Sequence, residues 1–503
     1  MIMKKKNILF GALALVVSVT GLVSCQKSLK EVAASDKSAV SSAAGRRGVE
    51  CQCETVTDST ITGVIATDLY LEHCKEYQLS GLVYVANNAT LTIEPGTRIV
   101  GLAGTGGGPG GGLVVTRGSK IIADGTESCP IVFTSYRWDG TGENAPQSGD
   151  WAGIIILGSA PVNKTNPLIE GVPDNPPADA NYGGDDCDDN SGILRYVRIE
   201  YPGYELSTNN EINGLTFGGV GCGTIVDYVQ VYKARDDGFE FFGGTVNATH
   251  LVAVDALDDM YDFDFGYSGH IQWALGLADT TRADISQSNG IESDNDNSPP
   301  NTATPQTLAQ LSNFTLIGVE DNARAIRTNM GPSTPPTGSY GRAAHIRRNS
   351  GIILTNSVFL GWKWGVSLDG TASQDKMLVA PVVSCFENNL VHAFATPFKT
   401  ENAAGTWTPS GTNTGYTTTD PNADIRLNAP FVRQVPDFVL PVPADPGPPA
   451  DPGSPALTSS FYSSCFTGGC CSFGFTNTSG YIGAFGNYNW AQDIEYGGWV
   501  KYY

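Results

Sequence analysis

The sequence predicts an all-β fold of stacked coils, a β-solenoid, and three observations carry that prediction. The segment Tyr228–Gly244 (YVQVYKARDDGFEFFGG) matches His250–Gly266 (HLVAVDALDDMYDFDFG) at an offset of 22 residues. This aligns Asp236 with Asp258, Asp237 with Asp259, Glu240 with Asp262 and Phe241 with Phe263. A period of that length is the mark of a solenoid. The units are rich in Val, Ile, Phe, Tyr, Thr, Asn and Gly, without a leucine ladder or an intervening helical pattern, which favours strands. Short alternating apolar runs that end in Gly, Pro or Asn recur on either side.

In chain order, residues 1–24 read as a processing signal: Lys4, Lys5 and Lys6, an apolar run from Ile8 to Val17, then Leu22-Val23-Ser24 before Cys25. The run is too short for a membrane span. Those last four residues resemble a bacterial lipobox, which makes Cys25 the expected lipidated N-terminus. Residues 25–50 are rich in Ser, Ala and Lys and are expected to form a flexible tether. Gln26 in place of Asp favours the outer membrane, with the leaflet left open.

Residues 51–440 are expected to form the solenoid. LSGLVYVANNATLTIEPGTRIVG, LVVTRGSKIIADGTESCPIVFTS and WAGIIILGSAPV read as its first coils, followed by runs at 194–200, 225–232, 311–318 and 351–370. The glycine-rich stretch 104–112 lacks the Gly-Lys-Ser/Thr ending of a phosphate loop and reads as an extrusion between strands. Polar stretches at 163–190, 279–310 and 328–342 are expected to leave the stack as edge insertions. A Pro-, Asp- and Gly-rich linker spans 441–455, and 456–503, with Phe461, Phe466, Phe473, Phe475, Trp490 and Trp499, is expected to cap an open end.

The net charge is −21, or −24 once the three leader lysines are removed, which argues against nucleic acid as a partner. Of 11 cysteines, ten remain beside the lipidated one, an even number that fits disulfides in an oxidising compartment.

The runs LTIEPGTRI, GDWAGIIILGSAPVN, YGGDDCDDNSGILRYVRIE, DDGFEFFGGTVN, DFDFGYSG, GIESDNDN, AAHIRRN, GSPAL and YIGAFG resemble lipoproteins of Bacteroidetes-type bacteria. The resemblance implies a right-handed parallel β-helix of the pectin-lyase-like superfamily. That superfamily mixes lyases, hydrolases, adhesins and passive surface proteins, so it implies fold more than activity.

Four constellations can carry chemistry. Stacked coils place Asp236, Asp237, Glu240, Asp258, Asp259, Asp262 and Asp264 in a ladder whose oxygens suit calcium. The alternative is that one acid of each doublet caps a turn while the other faces water. Asp186, Asp188 and Asn190 follow the alternation of a calcium loop, with Glu292, Asp294 and Asp296 a weaker parallel. The basic set Arg324, Arg327, Arg342, His345, Arg347 and Arg348 is either internal counter-charge or an anion site, with Arg347 and Arg348 as ligand contacts. Trp362 and Trp364, two apart on a strand, are expected on one face, for sugar stacking or for packing.

The resulting expectation is an outer-membrane-anchored β-helix with calcium-stabilised loops that binds an extracellular ligand, a glycan first, or assists a membrane transporter or adhesion. An enzyme alternative, a calcium-dependent polysaccharide lyase or glycoside hydrolase, would use Asp236, Asp237, Asp258, Asp259 and Arg235. The polygalacturonase motifs Gly-His-Gly and Arg-Ile-Lys do not occur. A purely structural envelope role is the third class.

Overall fold

A computed structural model describes residues 57–503 apart from 74, 105–109, 174, 208–209, 332–335, 434–435, 441–452, 458–463, 467–470, 472 and 476–479. The expected leader, Cys25, the tether, and most of the glycine-rich loop and Pro-rich linker lie outside the described residues.

The alternating runs form a parallel β-helix in which 24 strands belong to one hydrogen-bonded system. One wall stacks Gly192–Glu200, Ile225–Tyr232, Asn247–Val254, His270–Leu277 and Leu308–Ile317. A second stacks Gly153–Leu157, Leu215–Gly218, Phe239–Phe242, Tyr261–Asp264, Ile291–Ser293 and Arg342–Ile346, then Val358–Asp369 and Leu390–Glu401. The 22-residue offset is the coil step itself, because Glu240 pairs with Asp262 and Phe241 with Phe263.

Superposed coils put like side chains over like. In the interior this favours aromatic stacks: Phe217, Phe241 and Phe263 are spaced at 5.1 and 5.2 Å, and Phe239 lies 5.4 Å from Tyr261. Such pairs contribute about 0.5–1.5 kcal/mol each beyond the area they bury.

The first wall turns a corner at one left-handed residue per coil: Tyr196 (φ 48), Tyr228 (φ 54), His250 (φ 52), Trp273 (φ 62), Asn313 (φ 59), Asn356 (φ 53) and Asn388 (φ 57). Asparagine tolerates this region, whereas an aromatic residue there is strained. Ring stacking offsets the strain, with 4.4 Å between Tyr196 and Tyr228, 4.1 Å between Tyr228 and His250, and 4.9 Å between His250 and Trp273. Beside this corner, a polar ladder satisfies the backbone: Ser357 N–H donates to Asn389 Oδ1, and Asn389 N–H to Asn413 Oδ1.

The C-terminal segment differs from its expected role as an end cap. It lies along the flank of the helix, where Trp490 and Trp499 meet the aromatic corner edge-on. Arg198 donates to Trp499 O, Gln230 and Lys501 exchange two hydrogen bonds, and Gly483 N–H donates to Asn356 O, so the segment crosses successive coils. The reason is the half-exposed aromatic corner, an apolar stripe that a terminal cap would leave uncovered. Disulfides Cys222–Cys471 and Cys385–Cys465 tie it to two separate coils, and Cys129 and Cys187 are also disulfide-bonded.

Replacing Phe241 by Ala removes the middle ring of the interior stack. It is expected to lower unfolding free energy by about 3–5 kcal/mol in denaturant titration. A loss below about 1 kcal/mol would show that the stack is not part of the cooperative core.

Candidate functional site

The second wall aligns one outward row across eight coils: Ile155, Thr216, Glu240, Asp262, Glu292, His345, Ser367 and Lys399. The insertion after Gly153–Leu157 folds over part of this row. Its Tyr182 ring stands 6.3 Å from Phe242, and a Cβ on Gly243 would fall 2.5 Å from Val162. Glu240 is therefore buried, although it sits on the outer side of the sheet.

In the turn entering each of these strands, the aligned residues form a second ladder. Asp237 N–H donates to Asn213 Oδ1 (3.2 Å), Asp259 N–H to Asp237 Oδ1 (2.8 Å), Asn289 N–H to Asp259 Oδ1 (2.6 Å) and Arg342 N–H to Asn289 Oδ1 (2.8 Å). Asp237 and Asp259 are thus turn-capping members of the two acid doublets, while Asp236 and Asp258 are partly exposed. Sequence reasoning missed Asn213 and Asn289 as members of this ladder, because insertions displace Asn289 from the 22-residue period.

Charge compensation divides the acid region in two. At one end Arg347 pairs with Glu292 and, at 2.8 Å, with Asp294, Arg348 pairs with Asp294 at 2.6 Å, and Lys164 reaches Asp296 at 2.5 Å. His345 bridges Glu292 (3.3 Å) and Asp369 (3.0 Å). Burial works against His345 protonation, but these carboxylates raise its pKa overall. Burial likewise works to raise Glu292, yet the His345 hydrogen bond and the Arg347 charge hold it below its ordinary value. Arg347 and Arg348 are therefore counter-charges of the acids here.

At the other end, Asp236, Asp237, Glu240, Asp258, Asp259 and Asp262 make no ion pair among the described residues. Burial, reinforced by neighbouring carboxylates, pushes Asp237, Glu240, Asp258, Asp259 and Asp262 well above the carboxylate range. Asp236 is pushed up to about 8 by burial and then by the Glu211, Glu170 and Asp284 charges. Burial and Glu205 raise Glu211 to about 7, and burial and Asp294 raise Asp264 to about 7. Asp258 Oδ1 and Asp262 Oδ1 are buried without a hydrogen-bond partner. One oxygen each from Asp236, Asp237 and Asp258, and likewise from Asp237, Glu240 and Asp262, lies within 4.8 Å of the others in its triad, so Asp237 belongs to both. Convergent hard oxygen donors of this kind suit a calcium-like cation.

The remaining expected residues fall elsewhere. In the 186–190 turn Asp186 Oδ1 accepts from Asp188 N–H and Asn190 Oδ1 from Gly192 N–H, so these oxygens cap the local backbone. Asp188 lies beside the Cys222–Cys471 disulfide, whose bonded sulfurs are not thiolate ligands. Arg235 pairs with Glu205 rather than with the acid doublets. Trp362 is not a sugar platform: it is 2% exposed and its Nε1 donates to Leu316 O. Trp364 is half-buried under Arg342, Lys363 and Lys399, with the lysine ammoniums 4.0 and 4.1 Å from its ring centroid. The register shift between Trp362 and Trp364 breaks the simple alternation that put both rings on one face.

No curated protein and no solved structure matches this chain. A family model described as a pectate-lyase-like beta helix domain matches residues 63–424, which run from the first described strand past the last coil. With both walls of the helix inside that match, the chain belongs to the family of pectate-lyase-like β-helix domains.

Proposed function

We propose that this protein is a lipid-anchored β-helix of the outer membrane that binds glycans non-catalytically, with a calcium ion held by the uncompensated acid triads. The observation that carries the cation is the composition of the turn ladder. Its ends are Asn213 and Asn289 and its middle is Asp237 and Asp259, yet every rung uses only an Oδ1 acceptor. Asparagine would serve all four rungs without burying a charge, so the ladder does not account for the aspartates. A cation does for Asp237, the member of both triads, because it uses that residue's second, anionic oxygen, and it offsets the repulsion that Asp259 adds as a neighbour.

Binding is favoured over cleavage because the guanidiniums nearest the acids are paired, Arg235 with Glu205 and Arg347 with Glu292 and Asp294. Ion-paired guanidiniums are poor proton acceptors. Anchoring rests on Leu22-Val23-Ser24-Cys25. No helix among the described residues is long and apolar enough to cross a membrane.

The Asp237→Asn/Asp259→Asn double variant retains the ladder acceptors and removes two charges. Calcium at 100-fold over its Kd is expected to stabilise the wild type by about 2.7 kcal/mol and this variant hardly at all. In chelator the variant should melt above the wild type. Equal calcium shifts in the two proteins would sink the site.

The raised carboxyls also fix the sign of a pH effect. Because their folded pKa values exceed the unfolded ones, the cation-free protein binds extra protons when folded. That contribution is complete below about pH 4 and is lost as pH rises through the about 7 to about 8 of Asp264, Glu211 and Asp236. Melting temperature in chelator should therefore fall from pH 5 towards pH 8, and calcium should flatten the fall. A melting temperature that instead rose across this range in chelator would contradict the assignment.

Glycan binding is tested with a panel of acidic and neutral polysaccharides, with calcium or with chelator. Retention of intact chains is expected. Shortened chains would turn the acid triads into an active site, and no retention across the panel would remove glycan binding altogether.

A further inference from the structure

A cavity of about 530 Å³ lies apart from the acid triads, on the turns that leave the first wall. Lys233 and Arg235 come from the turn after Ile225–Tyr232, Asp255 from the turn after Asn247–Val254, and Asp279 and Arg282 from the turn after His270–Leu277. Pro146, Gln147 and Ser148 close one side, and Arg433, Tyr502 and Tyr503 from the C-terminal region another. Four cationic side chains thus meet two carboxylates in the lining of a chain whose net charge is −21.

The cations are held but not used up. Arg282 is fixed by Asp279 at 2.6 Å and by Ser148 Oγ at 3.1 Å, Arg433 stands 3.0 Å from Asp255 and donates to Ala278 O, and Arg235 pairs with Glu205. A guanidinium has five N–H donors, so each keeps some free. Lys233 makes no ion pair among the described residues. Its ammonium stands 5.1 Å from the Tyr232 ring centroid, and its charge acts on Asp255. The left-handed backbone of Lys233 (φ 56) and Asp255 (φ 57) sets these side chains in register at the same corner of adjacent coils. The volume falls in the range of small-ligand sites, roughly 300–1,000 Å³, and the lining adds the neutral donors Thr280, Thr281 and Gln147.

We propose that this cavity binds an oxyanion group, carboxylate, sulfate or phosphate, carried on a sugar-sized molecule, with Lys233 and Arg282 as its charged contacts. The inference rests on the glycan-binding reading for its sugar but not on the cation, because the pocket needs no calcium. It is a different place from the anion site expected at Arg347 and Arg348, which lie against Glu292 and Asp294.

The test is calorimetric titration of the protein with glucuronate, glucose 6-sulfate, glucose 6-phosphate and glucose, each with calcium and with chelator. One or more of the three anions should bind in both conditions and glucose should not, and which anion binds best identifies the group. Lys233→Gln should weaken that binding by about tenfold, the loss of one charge-assisted hydrogen bond. Arg195→Gln, which removes a surface cation paired with Asp124, should leave it unchanged. Equal binding by Lys233→Gln, or no binding of any anion by a wild type whose melting curve shows it folded, would overturn the pocket. Binding only in calcium would assign the anion to the acid triads instead and equally overturn it. Polysaccharide retention that persists while all three small anions fail would remove this pocket and leave the glycan reading standing.

Discussion

Everything in this molecule follows from superposition. A parallel β-helix sets each coil about 4.8 Å above the last, so whatever a position carries in one coil is repeated against its copy in the next. Apolar residues gain from this arrangement, as Phe217, Phe241 and Phe263 do in the interior. Amide side chains gain too, since an Asn oxygen reaches the backbone N–H of the neighbouring coil, as at Asn389 and Asn413. Carboxylates lose, because stacking holds like charges at close range where burial has stripped their water.

The chain meets that penalty in two ways along one row. Around Glu292 it supplies cations from the same sheet, with His345 one coil on in the same row and Arg347 two residues further. Around Glu240 and Asp262 it supplies no ion pair among the described residues, the Arg347 charge only opposing in part the rise of Asp262, and the orphaned Asp262 Oδ1 lies in that stretch. The two halves share geometry and differ in compensation, which separates the effect of stacking from the effect of charge. Stacked acids with built-in partners are ordinary stabilising contacts, whereas stacked acids without them leave a requirement that protons meet at low pH and that, on the function proposed above, a cation meets at neutral pH.

The sequence discloses this only where coils follow one another without interruption. Between Tyr228 and Gly266 the step is constant, so the pairs Glu240–Asp262 and Phe241–Phe263 are legible by eye. The next rungs, Glu292 and His345, come 30 and then 53 residues later because the insertions carry no period. The turn-capping role of Asp237 and Asp259 was one of two readings of the doublets, and choosing it needs the direction of the side chains. Trp362 packs in the core and Trp364 does not, because the ladder shifts register between them. The cationic cavity was illegible for a different reason: Lys233 and Arg433 are brought together by a C-terminal segment that returns along the flank, and no local pattern records that path.

That return path also bears on how the helix tolerates its acids. Lys501 reaches Glu200 at 3.1 Å, Arg198 reaches both Glu200 and the Trp499 carbonyl, and Arg433 reaches Asp255. The C-terminal region therefore delivers cations to first-wall carboxylates, in addition to covering the aromatic corner. Burial works to raise Glu200, yet the Arg198 and Lys501 charges hold it below its ordinary value. The acids at the other end of the turns, Asp236 to Asp262, receive no comparable return, although the cations of Lys233 and Arg235 precede Asp236 by only a few residues. The two ends of these turns thus differ in compensation rather than in sign: at the first-wall end Asp279 and Asp255 are paired with Arg282 and Arg433, whereas at the other end the Arg235 charge acts on Asp236 without an ion pair. Burial works to raise the carboxyls at both ends, and only where a cation is brought into contact is that effect opposed by direct pairing.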